Sequence, residues 1–440
     1  MVGPSFLTSS LKVVDPDSGN ICAEVQFRPF ELVRSLATWH IRGHKSYRYV
    51  CVGTAQFLEQ SDSQSKLTQQ AVGGRLVIYN LKPTKRKARA KATPLSPGAQ
   101  QGASAQLGAV APGFELKYVW ESDRNGSVSA LASLGDSYLV VAVDATCIVL
   151  KLDVVQKRLI ECCECSLRFA ATSLDVCGSD IVVGSKREAV NVLRFTPAAS
   201  DGSCDVLELV HSARFGGNTA DARFLASDLV AGVDHNGFLF VVGIPGNTAE
   251  FALDFVLGMH LGTECSRLRA GQLVQRLDAP EHVMSWSGSP NNVSGDNQDA
   301  IDYLLVSTIS GAMWTLARIS DDSFALLRCL ELAMLDMPAL HPARPLLAGN
   351  GSLNRARITS TLQSVGTIDG TFSTVFADNL TDVERAEVIR SSPELLRLAL
   401  AIADRSKATF YSPEHGSDPT ARAATAIARL ISSLNSISVC

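Results

Sequence analysis

Short apolar runs, each split by a small or polar turn, recur along most of the chain. LVVAVDATCIVLKL from Leu139, IVVGSKREAVNVLRF from Ile181, LVAGVDHNGFLFVV from Leu229 and LLVSTISGAMWTLARI from Leu304 share this form. Each reads as a β-hairpin, and in Asp234-His235-Asn236-Gly237 the turn ends on a glycine suited to the positive φ of a tight connection. Once the polar insertion SGSPNNVSGDNQDA is subtracted from the widest interval, the starts approach the roughly 40 to 50 residues of a four-stranded propeller blade. An earlier copy, YRYVCVGTA, is rejoined by GGRLVIYNL after the polar excursion FLEQSDSQSKLTQQAVG. A β-sandwich also shows short strands with regular turns. The repeat favours a ring of blades, in which each small sheet is covered on both faces, so its inner runs are near-continuously apolar instead of alternating.

Helix signals follow the strands. Thr381 with Glu384 forms a capping box before VERAEVIR, and Ser392 caps a helix with Pro393 at its first position, running PELLRLALAIADRSK. A last helix starts at Asp418-Pro419, with Ala424, Ile427, Leu430 and Ile431 on one face.

Composition changes this picture little. The chain has 440 residues, 46% hydrophobic and 19% charged, enough to bury a large core. A net charge of −4 argues against a surface that tracks phosphate throughout, so any nucleic-acid contact is expected to be local. The start MVGPSFLTSSLKVVDPDSG lacks a basic segment followed by an apolar run. No stretch of about 18 uncharged apolar residues occurs, so the reading is a soluble protein that is neither secreted nor membrane-bound.

Candidate chemistry is sparse. The eleven cysteines sit mostly in apolar strand-like runs and read as reduced, buried thiols. Cys162 and Cys165 stand at CxxC spacing, but no second ligand pair completes a zinc site, so neither a metal nor a cofactor is expected. His235 lies in a hairpin turn and reads as solvent-exposed. Nucleophile-elbow, zinc-protease, phosphate-loop and dinucleotide patterns are missing, and the expectation is a protein that is not an enzyme and has no small-molecule substrate. The sharpest surface feature is LKPTKRKARAKATPLSPGAQQGASAQ, where Lys82, Lys85, Arg86, Lys87, Arg89 and Lys91 precede an acid-free, low-complexity stretch. It reads as a disordered inter-strand insertion over 82–113 whose basic residues serve nuclear import, contact RNA or DNA phosphate, or are simply solvated.

The segment VGTIDGTFSTVF resembles the Gly-x-Ile-Asp-Gly-Asp-Leu segment that follows the last propeller in the cleavage and polyadenylation specificity factor A subunit family. Relatives in that family include the large damaged-DNA-binding subunit and the large propeller subunit of the splicing factor 3b complex. YVCVGTA with GGRLVIYNL resembles an opening blade, and the later hairpins resemble its successors in order. Thr371 and Phe372 depart from the family's acidic residue and leucine. Family members resemble three propellers in series, and this chain resembles the third with its helical end, which makes a fragment, a short paralogue or a truncated gene product the expected origins.

The resemblance implies an all-β fold, a seven-bladed WD-like β-propeller over 1–360, followed by a small C-terminal helical domain over 361–440. Ile368, Asp369 and Gly370 carry a structural role in it, Asp369 bonding backbone amides at a turn and Gly370 accepting a positive φ. It further implies a nuclear scaffold whose partners are protein subunits of a complex acting on nucleic acid, in splicing, 3′-end processing or ubiquitin-ligase assembly. The alternatives are a nucleic-acid-binding subunit using the basic run and an enzyme assembled from distant blades.

Overall fold

The structure, a computed structural model, describes residues 9–57, 71–83, 114–270, 303–336 and 368–435 apart from short breaks. The chain forms two compact units, Met1–Ser179 with Arg194–Glu208, and Asp180–Leu193 with Leu209–Cys440.

The first unit opens with a two-stranded ribbon, β1 (Ser10–Val14) and β2 (Ile21–Gln26). Next comes a four-stranded antiparallel sheet of β3 (Glu31–His40), β4 (Arg48–Gln56), β5 (Gly74–Pro83) and β6 (Phe114–Arg124), hydrogen-bonded in chain order. A second sheet holds β7 (Val128–Leu134), β8 (Tyr138–Val143), β9 (Thr146–Asp153) and β10 (Arg158–Ser166). Within these sheets both sides of an inner strand are covered. Tyr49, Cys51, Leu76 and Ile78 join Leu139, Val141, Ile148 and Leu150 in one core, which places one sheet face against the other. The alternate residues Val52, Val77 and Tyr79 pack on the opposite face with Phe27, Leu11 and Val25 of the ribbon region. Because successive side chains point to opposite faces, a strand sandwiched in this way is apolar at every position, which is the pattern its sequence carries. The fourth strands β6 and β10 alternate exposed and half-buried positions along most of their length, as sheet edges do.

A further four-stranded sheet holds β11 (Ala171–Cys177), β12 (Asp180–Ser185), β13 (Val190–Thr196) and β14 (Val206–Ser212). The second unit then adds β15 (Thr219–Ala226), β16 (Leu229–Asp234), β17 (Phe238–Gly243) and β18 (Asp254–His260) as a four-stranded sheet. A three-stranded one follows, of β19 (Cys265–Ala270), β20 (Tyr303–Thr308) and β21 (Met313–Ala317). Leu225, Ala231, Val233, Leu239 and Val241 share a core with Leu268, Leu304 and Val306, so these two sheets also stack through apolar faces.

These up-and-down sheets, stacked face on face, are propeller blades. Among the described residues there are five, four with four strands and one with three, in place of the seven expected. Residues 84–113, 271–302 and 337–367 are outside that count.

Helices complete the second unit: α1 (Asp321–Asp336), a π-turn (Val375–Asn379), α2 (Asp382–Ser391), α3 (Pro393–Phe410) and α4 (Pro419–Asn435). The expected caps are present. Thr381 Oγ1 accepts from the Glu384 amide at 3.4 Å while Glu384 accepts from the Thr381 amide at 2.8 Å. Ser392 Oγ accepts from the Leu395 amide at 3.3 Å, and Asp418 Oδ1 from the Thr420 amide at 3.2 Å. The helical core joins Leu326, Leu327, Leu330 and Met334 of α1 to Val388, Ile389, Leu395, Ile427, Leu430 and Ile431. The sequence reading gives residues up to 360 to the propeller; the packing gives α1 to the helices.

Candidate functional site

The residues singled out in the sequence scatter. Lys82 is exposed and sits in β5, paired in register with Glu115 of β6, so the strand runs two residues into the stretch read as insertion. Lys85, Arg86, Lys87, Arg89 and Lys91 lie outside the described residues, as do Asp369 and Gly370. Ile368 packs against the helical core. His235 is exposed in its hairpin turn.

Cys162, Cys163 and Cys165 stand on β10, the outermost strand of its sheet. Burial pushes the Cys162 thiol up to about 11, with a hydrogen bond to Asp205 adding to the effect. Burial, then the charge of Asp205, lifts Cys163 to about 11 as well, and burial takes Cys147 to about 12. Such thiols stay protonated at neutral pH and are poor nucleophiles. No metal-binding cluster of His, Cys, Asp or Glu occurs among the described residues.

The structure instead assembles an arginine–aspartate group that no sequence motif announces. Asp221 on β15 has its side chain only 2% exposed, and three guanidiniums lie around it: Arg269 at 3.7 Å, Arg223 at 3.9 Å and Arg267 at 4.0 Å. β15 and β19 are the first strands of successive blades and run side by side. Two side chains of β15 bind the backbone of one residue of β19. Asp221 Oδ2 accepts from the Leu268 amide at 3.0 Å, and Arg223 Nε donates to the Leu268 carbonyl at 3.0 Å. Leu268 pairs with Val306 on its other side, so Asp221 and Arg223 serve polar groups that face away from the β19–β20 ladder. The alternating strand geometry then puts Arg267 and Arg269 on the same face, flanking buried Leu268, with side chains 47% and 58% exposed.

A second surface feature lies at β18 and just before it. Phe251, ahead of the strand, and Phe255 on it are 54% and 47% exposed. Phe255 stacks on Phe238 with ring centroids 6.5 Å apart, and Phe238 on Phe240 at 6.2 Å. An aromatic row ending in solvent is a feature of contact surfaces more than of solvated ones.

Blades built from successive hairpins, with helices after the last one, define a β-propeller. A family model described as the CPSF A subunit region matches residues 8–343, and the chain belongs to that family. Comparison with individual curated proteins gives no match. The matched stretch takes in all twenty-one strands found among the described residues and α1. Among the described residues no helix is long and apolar enough to cross a membrane.

Proposed function

We propose that this chain is a non-enzymatic propeller scaffold in a nuclear multiprotein complex that acts on nucleic acid: pre-mRNA splicing, 3′-end processing, or a damaged-DNA or ubiquitin-ligase assembly. The observation that carries the reading is the family match across residues 8–343, spanning every blade. Stacked blades form a rigid frame whose loops and edges are suited to binding, and the exposed aromatics Phe251 and Phe255, before and on β18, fit a protein partner. We read the five described blades as part of a seven-bladed ring, which an experimental structure with every strand traced would count directly.

Affinity purification of the tagged chain from its source organism, read by mass spectrometry, tests the function. Subunits of one nuclear assembly should co-purify in stoichiometric amounts. Recovery of the chain alone, or turnover of a substrate by the pure protein, would overturn the reading. The basic run serves nuclear import on this proposal. A reporter fused to the chain should move from nucleus to cytoplasm when Lys85, Arg86, Lys87 and Arg89 become alanine. Unchanged location, with loss of salt-dependent RNA or DNA affinity, would favour the nucleic-acid-binding reading for these residues instead.

A further inference from the structure

We infer that the surface around Phe251 and Phe255 is a docking site for a protein segment that combines arginine or lysine with an apolar side chain. The two rings are exposed, yet neither is loosely held. Phe255 lies parallel to Phe238, with the planes 5° apart, and meets Phe215 edge-on with centroids 5.6 Å apart. Gly258 makes room for this pair: a Cβ there would stand 2.5 Å from the tip of the Phe255 ring and 2.8 Å from that of Phe238. Phe251 is fixed through its backbone. Its carbonyl accepts from the Ser212 amide at 2.9 Å, and the Leu253 amide donates to the Ser212 carbonyl at 3.2 Å. Just before it, Nδ1 of the buried His211 donates to the Glu250 carbonyl at 2.8 Å. Residues held in this way lose little conformational freedom when a partner covers them. With Val256, itself 46% exposed, the two rings offer apolar area to bury.

Charge identifies the partner. From Phe224 to Ser266, a stretch that holds β16, β17 and β18 with their connections, the chain carries five acidic residues and no lysine or arginine. Glu250 and Asp254 each directly precede one of the exposed rings. Asp228 approaches Asp254 at Gly243, where a Cβ would lie 3.8 Å from the Asp254 Cβ and 4.0 Å from the Asp228 carbonyl oxygen. All three acids are exposed, and no cation pairs with them among the described residues. The patch therefore sets a negative potential over an apolar surface, the reverse of what RNA, DNA or an anionic lipid headgroup requires.

Arginine suits this surface best. Its guanidinium stacks on a phenyl face and forks onto a carboxylate, while its aliphatic stem covers apolar area. Lysine supplies the charge without the fork. A leucine or aromatic residue beside it on the partner completes the burial of Phe251 and Phe255. This site rests on the reading of the chain as a binding scaffold and gives that scaffold a partner chemistry.

The test uses the full-length chain and three fluorescein-labelled peptides followed by anisotropy: alternating arginine and leucine, arginine and serine, and glutamate and leucine. The arginine–leucine peptide should bind, more weakly as salt rises. The arginine–serine peptide should bind about tenfold more weakly, and the glutamate–leucine peptide not at all. Phe251→Ser/Phe255→Ser should lower the affinity for arginine–leucine about tenfold or more, and Glu250→Gln/Asp254→Asn should lower it and flatten its salt dependence. Phe251→Ser alone, outside the Phe255–Phe238 stack, should give a smaller loss and guards against a double variant that fails to fold. Val383→Ser, at an exposed position on α2, should change nothing.

Equal binding of either control peptide, or unchanged affinity in either folded double variant, would overturn the site. A concentration-dependent dimer in sedimentation, lost in the double phenylalanine variant, would overturn the partner assignment in favour of a second copy of this chain. Because subunit co-purification is measured separately, intact co-purification beside a failed peptide assay would remove this site and leave the scaffold standing.

Discussion

Glu31 is fully buried on β3, and its carboxylate is held from three neighbouring strands or turns. Arg75 on β5 grips it with two contacts, at 2.8 and 2.6 Å, and reaches Glu121 on β6 at 2.7 Å; Thr54 on β4 donates to it at 2.6 Å and the Arg28 amide at 3.1 Å. One network thus ties all four strands of the first blade. Burial alone would raise the Glu31 pKa, but the hydrogen bonds from Arg75, Thr54 and Arg28 outweigh it and hold the group below its ordinary 4.5. A carboxyl lowered by folding stabilises the native state fully above its unfolded pKa, and that contribution disappears as pH falls through the lower folded value. Stability of the native chain should therefore decline below pH 4.5, and Glu31→Gln should show a shallower decline over that range in denaturant titrations at stepped pH. Parallel curves would refute the assignment. Arg75→Met should cost about 3 to 5 kcal/mol by leaving the buried carboxylate without its cation.

Gly237 is also decided at this scale. Its φ is +84°, and a Cβ there would stand 2.3 Å from the Thr263 carbonyl oxygen. Gly237→Ala should destabilise by about 1 to 3 kcal/mol in the denaturant midpoint, and an unshifted midpoint would show that the turn tolerates the side chain.

At the scale of elements, the helices show which signals are local. The capping box at Thr381 and Glu384 needs only four consecutive residues, and it forms as its sequence indicates. Thr381→Ala should cost about 1 kcal/mol, read as a lower melting temperature, while Thr381→Ser should restore most of it. The π-turn before it had no such signal. Its wide backbone is braced from a distance by Arg385, whose guanidinium donates to the Phe376 carbonyl at 2.9 Å and to that of Ala377. This contact sets the turn that sends Phe376, fully buried, into the helical core. Helix α1 is the opposite case from the caps. Its Leu326, Leu330 and Met334 recur at helical spacing, yet the boundary expected at residue 360 places the stretch inside the propeller.

For the molecule as a whole, assigning α1 to the helices has a consequence for truncation. A chain ending at residue 360 keeps α1 and removes the helices that cover Leu326, Leu327, Leu330 and Met334, whereas one ending at 320 removes α1 with its partners. The longer product should bind more of an apolar dye and aggregate sooner, because it exposes a contiguous leucine face. Equal dye binding by the two products would mean that α1 is covered by something other than the C-terminal helices.

Hairpins, the glycine of the Asp234–Gly237 turn, the helix caps and the family resemblance were all legible in the sequence, since each is written in neighbouring residues or in their order. So was the alternation hidden in the apolar runs: Cys51 and Val52, or Leu76 and Val77, are equally apolar because each member of the pair enters a different core. Which core each enters, how many blades stand among the described residues and where the helical packing begins depend on contacts between distant segments. The arginine group depends on them most. Asp221 and Leu268 are 47 residues apart, and Arg267 and Arg269 take on meaning only when β19 lies beside β15. Along the chain these are ordinary strand residues; the packing of β15 beside β19 brings them into one polar group that no local pattern could announce.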